Sequence, residues 1–88
     1  MFIYKTAKDR EIQVGADSKL TVTAIDLTHA LVDLKLDFDD HSSVTIRRKI
    51  DGERLMQLLP GVGVAVDLRR SQMSLCFEAE KSLRIRHT

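Results

Sequence analysis

Two short basic runs carry the chemistry most worth weighing in this chain: Arg47, Arg48 and Lys49, and later Arg84, Arg86 and His87. Guanidinium groups pair with phosphate oxygens and stack on unpaired bases, so arginines on a strand edge suit a single-stranded RNA loop. Aromatic support for stacking is thin, because Phe38 and Phe77 take core-facing places and leave Tyr4 and Phe2. The same cations have a plainer use: charges on an edge strand keep that edge from pairing with other chains. Both readings stand at this level.

The remaining chemical constellations are weaker. Asp39, Asp40, His41, Ser42 and Ser43 include the residue types of a hydrolytic triad, but neighbours in one turn cannot line up nucleophile, base and orienter. His29, His41, His87 and Cys76 lack the spacing of a metal site. Asp37, Asp39 and Asp40 lack the ligand order of a calcium loop. Gly61-Val62-Gly63 is too short for a phosphate loop and has no lysine to reach a phosphate. A lone thiol at Cys76 reads as a small space-filler. The expectation is no catalytic residue, no cofactor and no metal.

Eighty-eight residues make one domain, able to hide about two thirds of its unfolded surface and helped by association with a second copy. With 43% hydrophobic and 31% charged residues it reads as a soluble globular chain. It shows neither a long apolar run nor a signal-peptide pattern, so a cytoplasmic place away from membranes is expected. Net charge is +1, which gives no overall basic field. The charge is uneven, however: Met1–Ser43 holds five Lys or Arg against eight Asp or Glu, and Val44–Thr88 holds nine against five.

The elements that must position the basic runs are mostly strands. His29–Phe38 (HALVDLKLDF) alternates most cleanly, with Ala30, Val32, Leu34, Leu36 and Phe38 on one face. Phe2–Thr6 and Ile12–Val14 read as short strands, the second stopping at Gly15. Leu20–Leu27 alternates until Ile25 and Leu27 switch face, the mark of a bulge or of burial on two sides. The turn Asp39–Ser43 leads into Val44–Lys49, which projects Thr45, Arg47 and Lys49 outward. Asp51–Leu59 predicts a helix, with Asp51 as its cap, Leu55, Leu58 and Leu59 as its buried stripe, and Pro60-Gly61 as its stop. Val62–Arg69, Met73–Ala79 and Ser82–His87 complete the strands, with consecutive strands expected to be neighbours.

The alternation also recurs. Ile25–Arg48 lies over Val66–His87, so that Val32, Leu34 and Leu36 match Met73, Leu75 and Phe77 at a spacing of 41 residues, while Val44 and Ile46 match Leu83 and Ile85. The expectation is an all-β domain of mainly antiparallel meanders with one short α-helix, built by internal duplication: a meander over 1–50, the helix over 51–59 and a partial repeat over 62–88.

FIYKT, EIQVG, KLTVTAIDL, HALVDLKLDF and VTIRR, followed by DGERLMQLL, resemble the bacterial carbon storage regulator family of RNA-binding translational repressors, over about two thirds of the chain. The resemblance implies that RNA is held by residues on the first strand and on the last strand before the helix, brought together across a dimer of intertwined subunits. Carried onto this chain, Ile46 and Arg48 match the last-strand pattern and Tyr4 matches the first strand. Where the family has a pair of arginines after that strand, this chain has Thr6 and Ala7, with Lys5 and Lys8 nearby. The family's glycine-containing loop is replaced by Thr28 and His29.

The function this predicts is post-transcriptional regulation by a homodimer that binds messenger or small regulatory RNA through a basic edge centred on Arg47 and Arg48. Tyr4, Lys5, Ile46, Arg47, Arg48, Arg84 and Arg86 are the candidate contacts. The alternative is a non-catalytic protein-interaction or oligomerisation module that does not bind RNA.

Overall fold

The computed structural model describes residues 2–88, which form nine strands and no helix. In chain order these are β1 (Phe2–Thr6), β2 (Glu11–Val14), β3 (Ser18–Asp26), β4 (Leu31–Phe38), β5 (Ser43–Lys49), β6 (Asp51–Leu59), β7 (Val62–Arg69), β8 (Gln72–Glu78) and β9 (Ile85–His87). Strands β1 to β5, β7 and β8 lie close to where alternation and turn residues predict them, and the predicted Ser82–His87 is strand only over Ile85–His87. The change of face at Ile25 is a bulge, since the β3–β4 register shifts between Val22 and Ala24.

Asp51–Leu59 is a correction: it is a strand, not a helix. Its leucines satisfy both periods, because a short apolar segment cannot by itself choose between 3.6 and 2 residues per repeat. Pairing decides. A helix of this length is marginal in water, whereas β6 gains a ladder along β7, with Met56 opposite Val64 and Gln57 opposite Gly63. The predicted helix stop, Pro60-Gly61, is instead a hairpin turn. Gly61 has φ 78°, the left-handed position that follows proline in a type II turn.

The strands make two antiparallel sheets, ordered β1-β8-β7-β6 and β5-β4-β3-β2-β9. Consecutive strands are neighbours in β2–β5 and β6–β8, as expected, but the two ends of the chain depart from that rule. β1 crosses to β8, and β9 crosses to β2. The same rungs recur in both sheets: Val44–Leu36–Leu20–Ile12–His87 in one, Phe2–Phe77–Val64–Met56 in the other. Leu36 and Phe77, 41 residues apart, each lie on the second strand of their own sheet. Val44 and Ile46 do not hold the places of Leu83 and Ile85, because β5 and β9 lie at opposite edges of one sheet.

Inward residues of both sheets form one core. Ile12, Leu20, Val22, Leu34 and Leu36 from the five-stranded sheet meet Val64, Val66, Leu75 and Phe77 from the four-stranded one. Each sheet has one apolar face, and burying the two against each other is the ordinary solution for such strands. Among the described residues no helix is long and apolar enough to cross a membrane.

Candidate functional site

The crossing of the chain ends creates a corner. β1 edges one sheet and β9 edges the other, and the Tyr4 side chain joins them: its hydroxyl donates to the Ile85 carbonyl oxygen. Its ring meets His87 edge to face at 5.3 Å between centroids, and Phe77 at 5.9 Å. Tyr4 points inward because its β1 position is opposite Leu75, and Lys5, the next residue, is exposed on the other face. On β9, Ile85 is buried while Arg84 and Arg86 flank it in solvent. Alternation therefore anchors the strand and presents its cations in one step.

The turn after β2 completes the corner. Gly15 N–H donates to Arg84 O at 2.7 Å, and Gln13 Nε2 donates to Gly15 O at 2.8 Å. A cavity of about 290 Å3 opens here, lined by Gly15, Ala16, Ser82, Leu83, Arg84 and Arg86. Gly15 has φ 68°, and a Cβ on it would come within 2.9 Å of Leu83 Cδ1. The left-handed conformation favours glycine there, and a Cβ would also have to displace the end of the Leu83 side chain. Two exposed arginines at the lining of one cavity are the residue type that pairs with phosphate and stacks on unpaired bases.

Of the seven candidate contacts, the structure brings Tyr4, Arg84 and Arg86 to this corner, while Lys5 is exposed on the opposite face of β1. Ile46, Arg47 and Arg48 lie on β5, at the far edge of the five-stranded sheet. Arg47 projects outward as expected but is engaged: its Nε donates to Asp33 Oδ1 at 2.9 Å and its Nη2 to Asp33 Oδ2 at 3.4 Å. Each partner shifts the other. The Arg47 hydrogen bond holds the Asp33 carboxyl below its ordinary value against a smaller opposing effect of burial, and the Asp33 hydrogen bond raises the Arg47 guanidinium. Arg48 sits on the inward-facing side of β5, half-buried, and donates from Nη1 to Arg47 O at 3.0 Å. Ile46 is half-buried opposite Leu34.

Other polar clusters have local work. Asp26 accepts from His29 N at 3.2 Å and lies 2.8 Å from His29 Nδ1, contacts that lower its carboxyl value and close the β3–β4 turn. Asp40 likewise accepts from Ser42 N at 2.9 Å and from the Ser42 hydroxyl, which lowers its own value. Both are the side-chain-to-backbone bonds that Asp favours in turns. Cys76 is buried, and that burial pushes its thiol up, away from the thiolate a nucleophile needs.

Sequence reasoning missed Gln13, Gly15, Ala16 and Leu83. The signal for Gly15 was present, since a glycine directly after a strand marks a left-handed turn. Nothing in the linear order, however, brings residue 15 beside residue 84. No family model, no curated protein and no solved structure matches the chain.

Proposed function

We propose that the protein is a non-catalytic RNA-binding regulator of translation, of the carbon storage regulator type, and that it takes a single-stranded RNA loop at the corner between β1 and β9. One observation carries this reading: Tyr4 of the first strand meets Ile85 of β9, whose flanking Arg84 and Arg86 stand in solvent, whereas the strand that the resemblance pairs with the first, Val44–Lys49, lies at the far edge of the five-stranded sheet. On this reading a single chain supplies both strands of its RNA site, and Arg84 and Arg86, not Arg47 and Arg48, lead the contact.

The test is a gel shift with GGA-containing hairpins set against unrelated RNA. Arg84→Ala with Arg86→Ala is expected to abolish the preferential shift at low micromolar protein, and Arg47→Ala to leave most of it. Removing one phosphate-binding arginine makes the slope of log affinity on log salt shallower by about 0.7 for a single strand. Absence of any preferential shift by the parent protein defeats the proposal.

A second reading, the protein-interaction module, is favoured by the Asp33–Arg47 pair, which engages Arg47 within the sheet, and by the net charge of +1, which gives no overall basic field. The same gel shift decides between the two.

A further inference from the structure

The two sheets do not share the charges evenly. Alternate positions of β2 to β5, of β9 and of the residue before β9 point away from the core. On that outer face stand Lys19, Lys35, Arg47, Lys49, Arg84 and Arg86 against Glu11, Asp33 and Asp37. The turn residues Asp17 and Asp39 lie beyond the last rung, joined backbone to backbone. The rest of the chain holds eight Lys or Arg against ten Asp or Glu. On the outer face of the four-stranded sheet the strands balance, with Lys5 and Arg69 against Asp67 and Glu78. A net charge of +1 thus conceals one sheet face with twice as many cations as carboxylates.

Ion pairing divides the six cations. Arg47 is engaged by Asp33, and Lys35 Nζ lies 3.6 Å from Asp37 Oδ1. Lys19, Lys49, Arg84 and Arg86 are exposed and form no ion pair among the described residues. Three of these four adjoin one another. Arg86 is opposite Gln13 and Gln13 is opposite Lys19, so one rung leads from the β1–β9 corner toward the middle of the sheet. With about 4.8 Å between neighbouring strands, the Lys19 backbone stands about 10 Å from that of Arg86.

The chemistry of the face selects its partner. The outward rungs Arg86–Gln13–Lys19–Asp37–Ser43 and Glu11–Thr21–Lys35–Thr45 hold no apolar side chain. A protein interface has an apolar centre depleted of charge, whereas nucleic acid is met by a polar, basic surface whose lysines and hydroxyls reach phosphate and sugar. We infer that the backbone of the RNA bound at the β1–β9 corner continues across the outer face of the five-stranded sheet, with Lys19 as a phosphate contact. This path rests on the RNA reading proposed above and adds to it a direction and a residue. These rungs carry no aromatic side chain, so the contact positions the strand and does not read its bases.

The test measures affinity for a GGA-containing hairpin over a range of salt. Lys19→Gln is expected to make the slope of log affinity on log salt shallower by about 0.7, and to weaken binding roughly fivefold at about 0.1 M salt. Lys19→Arg should keep the parent slope. Arg54→Gln removes the same charge from an exposed place on β6, in the other sheet, and should leave affinity and slope unchanged. Equal effects of Lys19→Gln and Arg54→Gln would overturn the path, while a shift that still depends on Arg84 and Arg86 would leave the corner standing. Displacement of the hairpin by polyglutamate at matched charge would assign the face to an acidic protein and overturn the path too. No preferential shift by the parent protein removes both the path and the corner.

Discussion

The Tyr4 hydroxyl donates to the Ile85 carbonyl oxygen, which joins two residues 81 apart in the chain and the edge of one sheet to the edge of the other. β9 is three residues long and bonds only to β2 by its ladder, so this side-chain bond and the burial of Ile85 hold it in place. Tyr4→Phe keeps the ring contacts and removes the bond. It is expected to cost about 0.5–1.5 kcal/mol of global stability. Hydrogen exchange at Ile85–His87 should rise by more than exchange at Leu34 or Leu75. Uniform loss of protection across both sheets would show that the bond does not act locally on β9.

Asp33 and Arg47 give the pH dependence a definite sign. The Asp33 carboxyl is depressed by the Arg47 hydrogen bond, so the stability it contributes is complete above the ordinary carboxylate value and is lost as pH falls through the depressed folded value. Arg47→Ala should return the Asp33 carboxyl toward its ordinary value in a 13C titration. The difference in urea midpoint between parent and variant should be largest near neutral pH and shrink in acid. A difference constant with pH would count against the pair as its source.

Arg70 and Ser71 form the two-residue turn between β7 and β8, with φ of 51° and 68°. Two consecutive left-handed residues are the conformation of a type I′ hairpin, for which Asn-Gly is the preferred pair. Replacing them by Arg70→Asn and Ser71→Gly relieves a cost of roughly 1 kcal/mol or more. The expected result is a higher urea midpoint at unchanged slope, with RNA binding untouched because neither residue is at the β1–β9 corner.

Thr6 is 3% exposed, and its Oγ1 has no hydrogen-bond partner. An unpaired buried hydroxyl is a cost, so Thr6→Val is expected to stabilise the protein by about 1 kcal/mol. Thermal or urea unfolding measures it. A lower midpoint would show that the hydroxyl is bonded in solution.

Most of the strands and the alternation that builds the core were open to reading in the chain itself. Val32, Leu34 and Leu36 face inward because period two leaves one face apolar, and a face of that kind has to be buried. The outward direction of Arg47 and the turn chemistry of Asp40 follow from equally local rules. Asp51–Leu59 marks the limit of such rules: its leucines fit a helical stripe and a pleated edge alike, and only the presence of β7 beside it chose the strand.

The site depends on what local rules do not contain. Residue types identified Tyr4, Arg84 and Arg86 as candidates, yet bringing Tyr4 against the strand that carries the arginines required β1 and β9 to leave their sequence neighbours and cross between sheets. The same crossing placed Arg47 and Arg48 at the far edge and left β6 with an open flank. Alternation says which face of a strand is buried, whereas the choice of its neighbour is settled by how two apolar faces close on one another. That choice exists only once the whole chain has folded.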